Sequence, residues 1–190
     1  MKKLAVVFPG RRYSCDRSLL YFPSELMRLR GYDMVYLHYN LEKEIEDPRP
    51  LSVAIEESFQ VSKKALADVD LSAYDTVVFL GKSIGTVVQG RIREEVGRPS
   101  IRIVDITPLP ETVKYFARED LILVGDHDPN FPDPNRILTH YPNNYVFPSF
   151  THSLESKTNY HLSIKIVNDV TTIVDQYLRS FDPVEEERQD

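Results

Sequence analysis

Short runs of β-branched and other apolar residues alternate with segments of helical periodicity along the whole chain, and this alternation restricts the fold more than any other feature. The runs cover residues 4–8, 33–38, 76–80, 101–106, 121–124 and 145–147. Several are apolar nearly throughout, as in Val77-Val78-Phe79-Leu80 and Leu121-Ile122-Leu123-Val124. Strands of that kind are covered on both faces, which is the condition of a parallel sheet packed between helices. Between the runs, residues 51–69 place Ile55, Phe59, Leu66 and Val69 on one side. Ile84, Val87, Val88 and Ile92 recur at helical spacing, and a sustained stripe runs from Ile166 to Phe181. A first helix must either start near Pro23 or kink there, because proline lacks the N–H that a helix interior requires. The expectation is a three-layer α/β/α sandwich with about six mostly parallel strands. At 190 residues it forms one domain, 1–190, whose residues 182–190 make an acidic, frayed tail.

The charge balance narrows the partners. With 29 acidic against 23 basic side chains the formal net charge is −6, and no stripe of Lys and Arg is present to follow a phosphate backbone, so nucleic acid is not expected. No stretch approaches the roughly 18 apolar residues of a membrane helix. The opening Met1-Lys2-Lys3-Leu4-Ala5-Val6-Val7-Phe8 is stopped by Pro9-Gly10, too short for a signal peptide, and reads as a buried strand. One cysteine, Cys15, excludes an intrachain disulfide and suits a reducing compartment, so a cytoplasmic location is expected.

The chemistry begins where the third run meets Gly81-Lys82-Ser83-Ile84-Gly85 and a helix follows at once. A serine between small residues on a sharp strand-to-helix turn has its hydroxyl lifted above the sheet, and the helix beginning there aims unpaired N–H groups at developing negative charge. A hydroxyl needs a base to become a nucleophile. Five histidines are available: His38 at a strand end, where packing suits it, His127, His140, His161 at the opening of the last helix, and His152. His152 lies in the loop between the last strand and the last helix, at the carboxyl edge of the sheet that also carries Ser83. A carboxylate must fix the tautomer of that base and balance the imidazolium. Asp126 and Asp128 both occupy the loop after the fifth run. Asp128, braced by Pro129, is the better placed to reach across, whereas Asp126 suits the organisation of the turn. Asp105 is a third candidate, lying inside the fourth run.

These segments resemble the α/β-hydrolase superfamily, in particular its small lid-less bacterial members. The resemblance is carried by Gly81-Lys82-Ser83-Ile84-Gly85, Gly125-Asp126-His127-Asp128-Pro129 and Thr151-His152-Ser153-Leu154 in the order Ser, Asp, His. It extends from Leu4 to about Phe181, without the two strands that open larger members. It implies a Ser83–His152–Asp128 triad and favours Asp128 over Asp126. It also implies an oxyanion hole made by the backbone N–H groups of Ile84 and of Arg11 or its neighbour, although the Arg11-Arg12 pair departs from the smaller residues usual there.

The resulting expectation is a serine hydrolase that cleaves a small ester or thioester through an acyl-enzyme. It needs no metal and no cofactor, and its only partner is the substrate. An acyltransferase or peptidase with the same three residues, and a silent binding module on the same fold, are the alternatives. About a dozen residues between Thr107 and the next run leave no room for a lid, so a shallow site for small substrates is expected. Arg12, Tyr13 and Lys82 are candidate substrate contacts, and Arg11, Arg12 and Lys82 would give the mouth of the site a positive cast. Cys15 reads as a buried small residue.

Overall fold

In the computed structural model, residues 1–39 and 49–183 are described. Six strands form one sheet in the order β2-β1-β3-β4-β5-β6, and every neighbouring pair is parallel. They are β1 (Lys3–Phe8), β2 (Tyr32–Tyr36), β3 (Thr76–Lys82), β4 (Arg102–Ile106), β5 (Leu121–Gly125) and β6 (Asn144–Phe147). The α-helices are α1 (Ser18–Leu29), α2 (Leu51–Leu66), α3 (Ile84–Val96), a single turn α4 (Pro134–Ile137) and α5 (Tyr160–Arg179).

Side chains alternate across each strand, so each strand feeds two cores. Ala5, Val7, Val78, Leu80, Val104 and Ile106 pack with Leu19, Leu20 and Met27 of α1 and with Ile166, Val170 and Val174 of α5. Leu4, Val6, Phe8, Val77, Phe79 and Ile103 pack on the opposite side with Phe59 of α2 and with Val88 and Ile92 of α3. The helices α1 and α5 therefore cover one face and α2 and α3 the other, which is the expected three-layer sandwich.

Three expectations need correction. The first helix does not start near Pro23: α1 begins five residues upstream of the proline and runs through it. Pro23 is buried against the core, and the apolar burial of Leu19, Leu20 and Met27 around it outweighs one lost backbone bond. The second strand ends at Tyr36, so His38 lies beyond it and is exposed rather than half-buried in packing. The solvated tail cannot begin at residue 182. Asp182 is buried, accepts from Lys3 Nζ at 3.0 Å and from the Tyr32 hydroxyl at 2.9 Å, and lies 3.7 Å from Arg30 Nη2. Basic groups gathered at the amino end of β1 and β2 require a counter-charge, and Asp182 supplies it. The rest of the expected tail, 184–190, lies outside the described residues.

Candidate active site

The carboxyl edge of the sheet carries loops from β1, β3, β4, β5 and β6, and the fold brings them within reach of one another by removing side chains at two places. A Cβ at Gly85 would collide with the Phe8 and Pro9 carbonyl oxygens, so only glycine lets the first turn of α3 press against the end of β1. A Cβ at Gly125 would collide with the Phe150 carbonyl, so only glycine lets the β5 loop lie against the β6 loop.

Ser83 sits between β3 and α3 with φ 54° and ψ −119°. Its backbone is held on both sides: Ser83 N–H donates to Ile106 O at 3.1 Å, and Ser83 O accepts from Thr86 N–H at 2.9 Å and from the Thr86 hydroxyl at 2.6 Å. The turn is thus clamped in a conformation that non-glycine residues rarely adopt.

The β5 and β6 loops are laced together. Asp126 N–H donates to Phe147 O at 3.0 Å, His127 N–H donates to Phe150 O at 2.9 Å, and Asp126 Oδ1 accepts from Ser149 N–H at 2.6 Å. Asp126 therefore organises the turn. Asp128 points the other way. Its Oδ1 accepts from Asn130 N–H at 2.8 Å and its Oδ2 lies 2.8 Å from His152 Nδ1, the carboxylate being wholly buried. His152 Nε2 lies 2.9 Å from Ser83 Oγ, and the side chain is 22 % exposed. An ionised carboxylate only accepts, so Nδ1 carries the hydrogen and Nε2 is left to accept from the serine hydroxyl. The structure brings Ser83, His152 and Asp128 into one hydrogen-bonded line. It does not bring Asp105 there: that side chain is fully buried in β4, accepts from Gln89 Nε2 at 2.8 Å, and is driven well above the ordinary carboxylate range by burial.

The loop after β1 runs beside the serine. Gly10 N–H donates to Tyr13 O at 2.9 Å and Tyr13 N–H to Gly10 O at 3.2 Å, closing a turn in which Arg12 has φ 57°. The position of a Cβ on Gly10 would be 3.4 Å from Ser83 Cβ. The Gly10 N–H is thus committed within this turn, and Arg11 is the residue that follows it. Ile84 directly follows Ser83 and begins α3, where the first N–H groups have no intrahelical acceptor. Arg11 donates through Nη2 to Arg49 O at 2.9 Å, and Arg12 is exposed. Tyr13 is half-buried, and its hydroxyl accepts from Leu19 N–H at 3.0 Å in the first turn of α1.

Lys82 is not at the mouth of the site. It is 3 % exposed, and burial lowers its pKa to about 8 against the opposing pull of Asp128 and Glu155. Strand alternation carried the signal: Val78 and Leu80 point into the α1/α5 core, and Lys82 follows at the same period. Cys15 is 3 % exposed, with Sγ 3.3 Å from Leu37 O, and burial pushes its thiol up to about 12.

Comparison with protein-family models finds no match, and comparison with curated proteins finds none either. Solved structures do match. A serine hydrolase without a lid from Xanthomonas campestris superposes with TM-score 0.65 at 13 % identity, covering 97 % of this chain and 85 % of its own. An α/β serine hydrolase homologue from Coxiella burnetii gives TM-score 0.61 at 10 % identity over 90 % of this chain and 84 % of its own. A Butyrivibrio proteoclasticus protein with bound ferulic acid gives 0.59 at 15 % identity over 93 % and 89 %. The chain has the α/β-hydrolase fold. Within the hydrolase fold the link between β4 and β5, residues 107–120, holds only a 3₁₀ segment, Pro110–Tyr115, so no cap is inserted there. Among the described residues no helix is long and apolar enough to cross a membrane.

Proposed function

We propose that this protein is a serine hydrolase that cleaves a small ester or thioester through an acyl-enzyme, with Ser83 as nucleophile, His152 as base and Asp128 as its orienting carboxylate. One observation carries the reading: a strained serine between strand and helix has its Oγ 2.9 Å from His152 Nε2, while a buried Asp128 holds Nδ1 at 2.8 Å. Ser83 Oγ attacks the acyl carbon as its proton passes to His152 Nε2, and the carbonyl oxygen becomes an oxyanion facing the backbone N–H groups of Ile84 and Arg11. The imidazolium, stabilised by Asp128, returns the proton to the leaving oxygen or sulfur. Water deprotonated by His152 then attacks the acyl-serine and releases the acid. The short link between β4 and β5 favours short acyl groups over long chains.

Incubation with a fluorophosphonate should label Ser83 and block hydrolysis of activated esters. Ser83→Ala should lose labelling and reduce kcat by roughly 10⁵-fold or more. Acetyl and butyryl esters should be turned over faster than long-chain ones. Wild-type protein that neither labels nor hydrolyses any ester or thioester would reject the proposal.

A further inference from the structure

Lys82 has an environment that packing alone does not explain. Its Nζ donates to Thr107 Oγ1 at 2.8 Å and to the backbone carbonyl of His152 at 3.1 Å, and it lies 4.8 Å from the centre of the Tyr13 ring. Among the described residues it forms no ion pair. An ammonium has three donors and no acceptor. Here two are used on oxygens, and an aromatic face covers a third side. The three partners come from three different loops, those after β1, β4 and β6. One of those oxygens belongs to the residue whose ring meets the serine.

We propose that Lys82 is the positioning residue of this site: it grips the His152 carbonyl and so fixes the distance between the imidazole and Ser83. The proposal rests on the serine-hydrolase reading for its functional meaning. Lys82 precedes Ser83 in sequence, so the same stretch of backbone that presents the hydroxyl also holds the base. A small closed circuit results, running from Lys82 through the peptide to Ser83, across to the His152 ring, along His152 to its carbonyl, and back to Nζ. Asp128 fixes the ring at Nδ1, and Lys82 fixes the backbone beneath it. Two points of attachment define an orientation where one leaves a swing, and misplacement of a reacting group by about 1 Å can cost roughly 100-fold.

The charge of this anchor is within reach of titration. The groups facing it are Asp128 from the β5 loop, Glu155 and His152 from the β6 loop, and Tyr13 from the β1 loop. Burial brings the ammonium down to about 8, so mild alkali neutralises it. The amine that remains still donates, but more weakly, and it no longer attracts the Tyr13 ring or the two carboxylates.

The test compares wild type, Lys82→Met and Thr107→Val by the rate of fluorophosphonate modification of Ser83 from pH 6 to 10. Alongside it, the NMR signal of the proton on His152 Nδ1 is followed. Wild type should slow severalfold above about pH 8. Lys82→Met should react about 100-fold more slowly than wild type at neutral pH, show no alkaline decline, and have its Nδ1 proton signal broadened. Thr107→Val, which removes one acceptor and so disfavours the ammonium, should move the decline to lower pH. If Lys82→Met does not fold, the Thr107→Val shift decides the matter, and an unmoved decline overturns the proposal. Lys82→Met reacting at the wild-type rate with an unchanged Nδ1 signal also overturns it. Wild type that fails to react while the Nδ1 signal is still lost in Lys82→Met leaves positioning standing and removes the hydrolase reading instead.

Discussion

A serine held at φ 54° and ψ −119° stores free energy that the rest of the fold must offset. Conformations of this kind cost about 1–3 kcal/mol each when the residue has a Cβ. The cost is not confined to Ser83: among the described residues Arg12, Thr107, Asp133, Ser149 and Leu154 also have positive φ, and all lie in the connections that follow β1, β4, β5 and β6. Ser83→Gly should therefore raise the melting temperature by an amount equivalent to about 1 kcal/mol. Ser83→Ala, which keeps the Cβ, should leave it nearly unchanged, and calorimetry of the two variants separates strain from the loss of the hydroxyl. Lys82 adds a second local cost. The unfolded chain binds that proton with the ordinary lysine pKa of 10.5 and the folded chain with one of about 8, so stability is reduced by on the order of 3 kcal/mol below pH 8 and recovers as the pH climbs toward 10.5. Lys82→Met should accordingly fold at least as stably as wild type, because removing a buried charge in favour of an apolar chain of similar length is often neutral or better. A chain that keeps both costs at one turn is using that turn for something other than stability.

Along β3 and β4 the alternation of side chains decides which polar groups are trapped under helices. Val104 and Ile106 face α1 and α5, whereas Ile103 and Asp105 face α3, where Asp105 meets Gln89 and where Gln89 Oε1 has no partner. Burial raises the Asp105 pKa well above the ordinary 3.8, with Asp120 adding to the effect. The contribution of such a group is fully present below the unfolded pKa and is lost as the pH rises toward the folded one. Asp105→Asn should therefore be more stable than wild type at pH 8, with the gain shrinking as the pH is lowered toward 4, as thermal melts across that range will show. The same period explains what was legible in the chain. Apolar runs announced all six strands, and Gly81-Lys82-Ser83-Ile84-Gly85 announced the turn, since both are local patterns. The interior position of Lys82 was legible only by continuing the count from Val78 and Leu80, against the habit of reading lysine as solvent-facing. Asp182 could not be read at all from its neighbours, because the basic groups that hold it, Lys3 and Arg30, lie at the far end of the sequence.

At the scale of the whole molecule the two ends of the described chain are joined: Lys3 of β1 and Asp182 after α5 are bonded at 3.0 Å, beside Tyr32 of β2. This contact fastens the α1/α5 side at the amino end of β1, and the apolar core on that side of the sheet is buried along its length, so a reagent reaches it only if the fold opens. Cys15 lies in that core as the chain's sole sulfhydryl, with its proton held tightly and its surface covered. The folded protein should thus ignore Ellman's reagent and keep its full reactivity toward serine-directed probes in the presence of iodoacetamide. In rising urea, consumption of the disulfide dye should begin only where the circular dichroism of the helices falls away. The molecule carries its own stopwatch for opening, and no label need be engineered to read it.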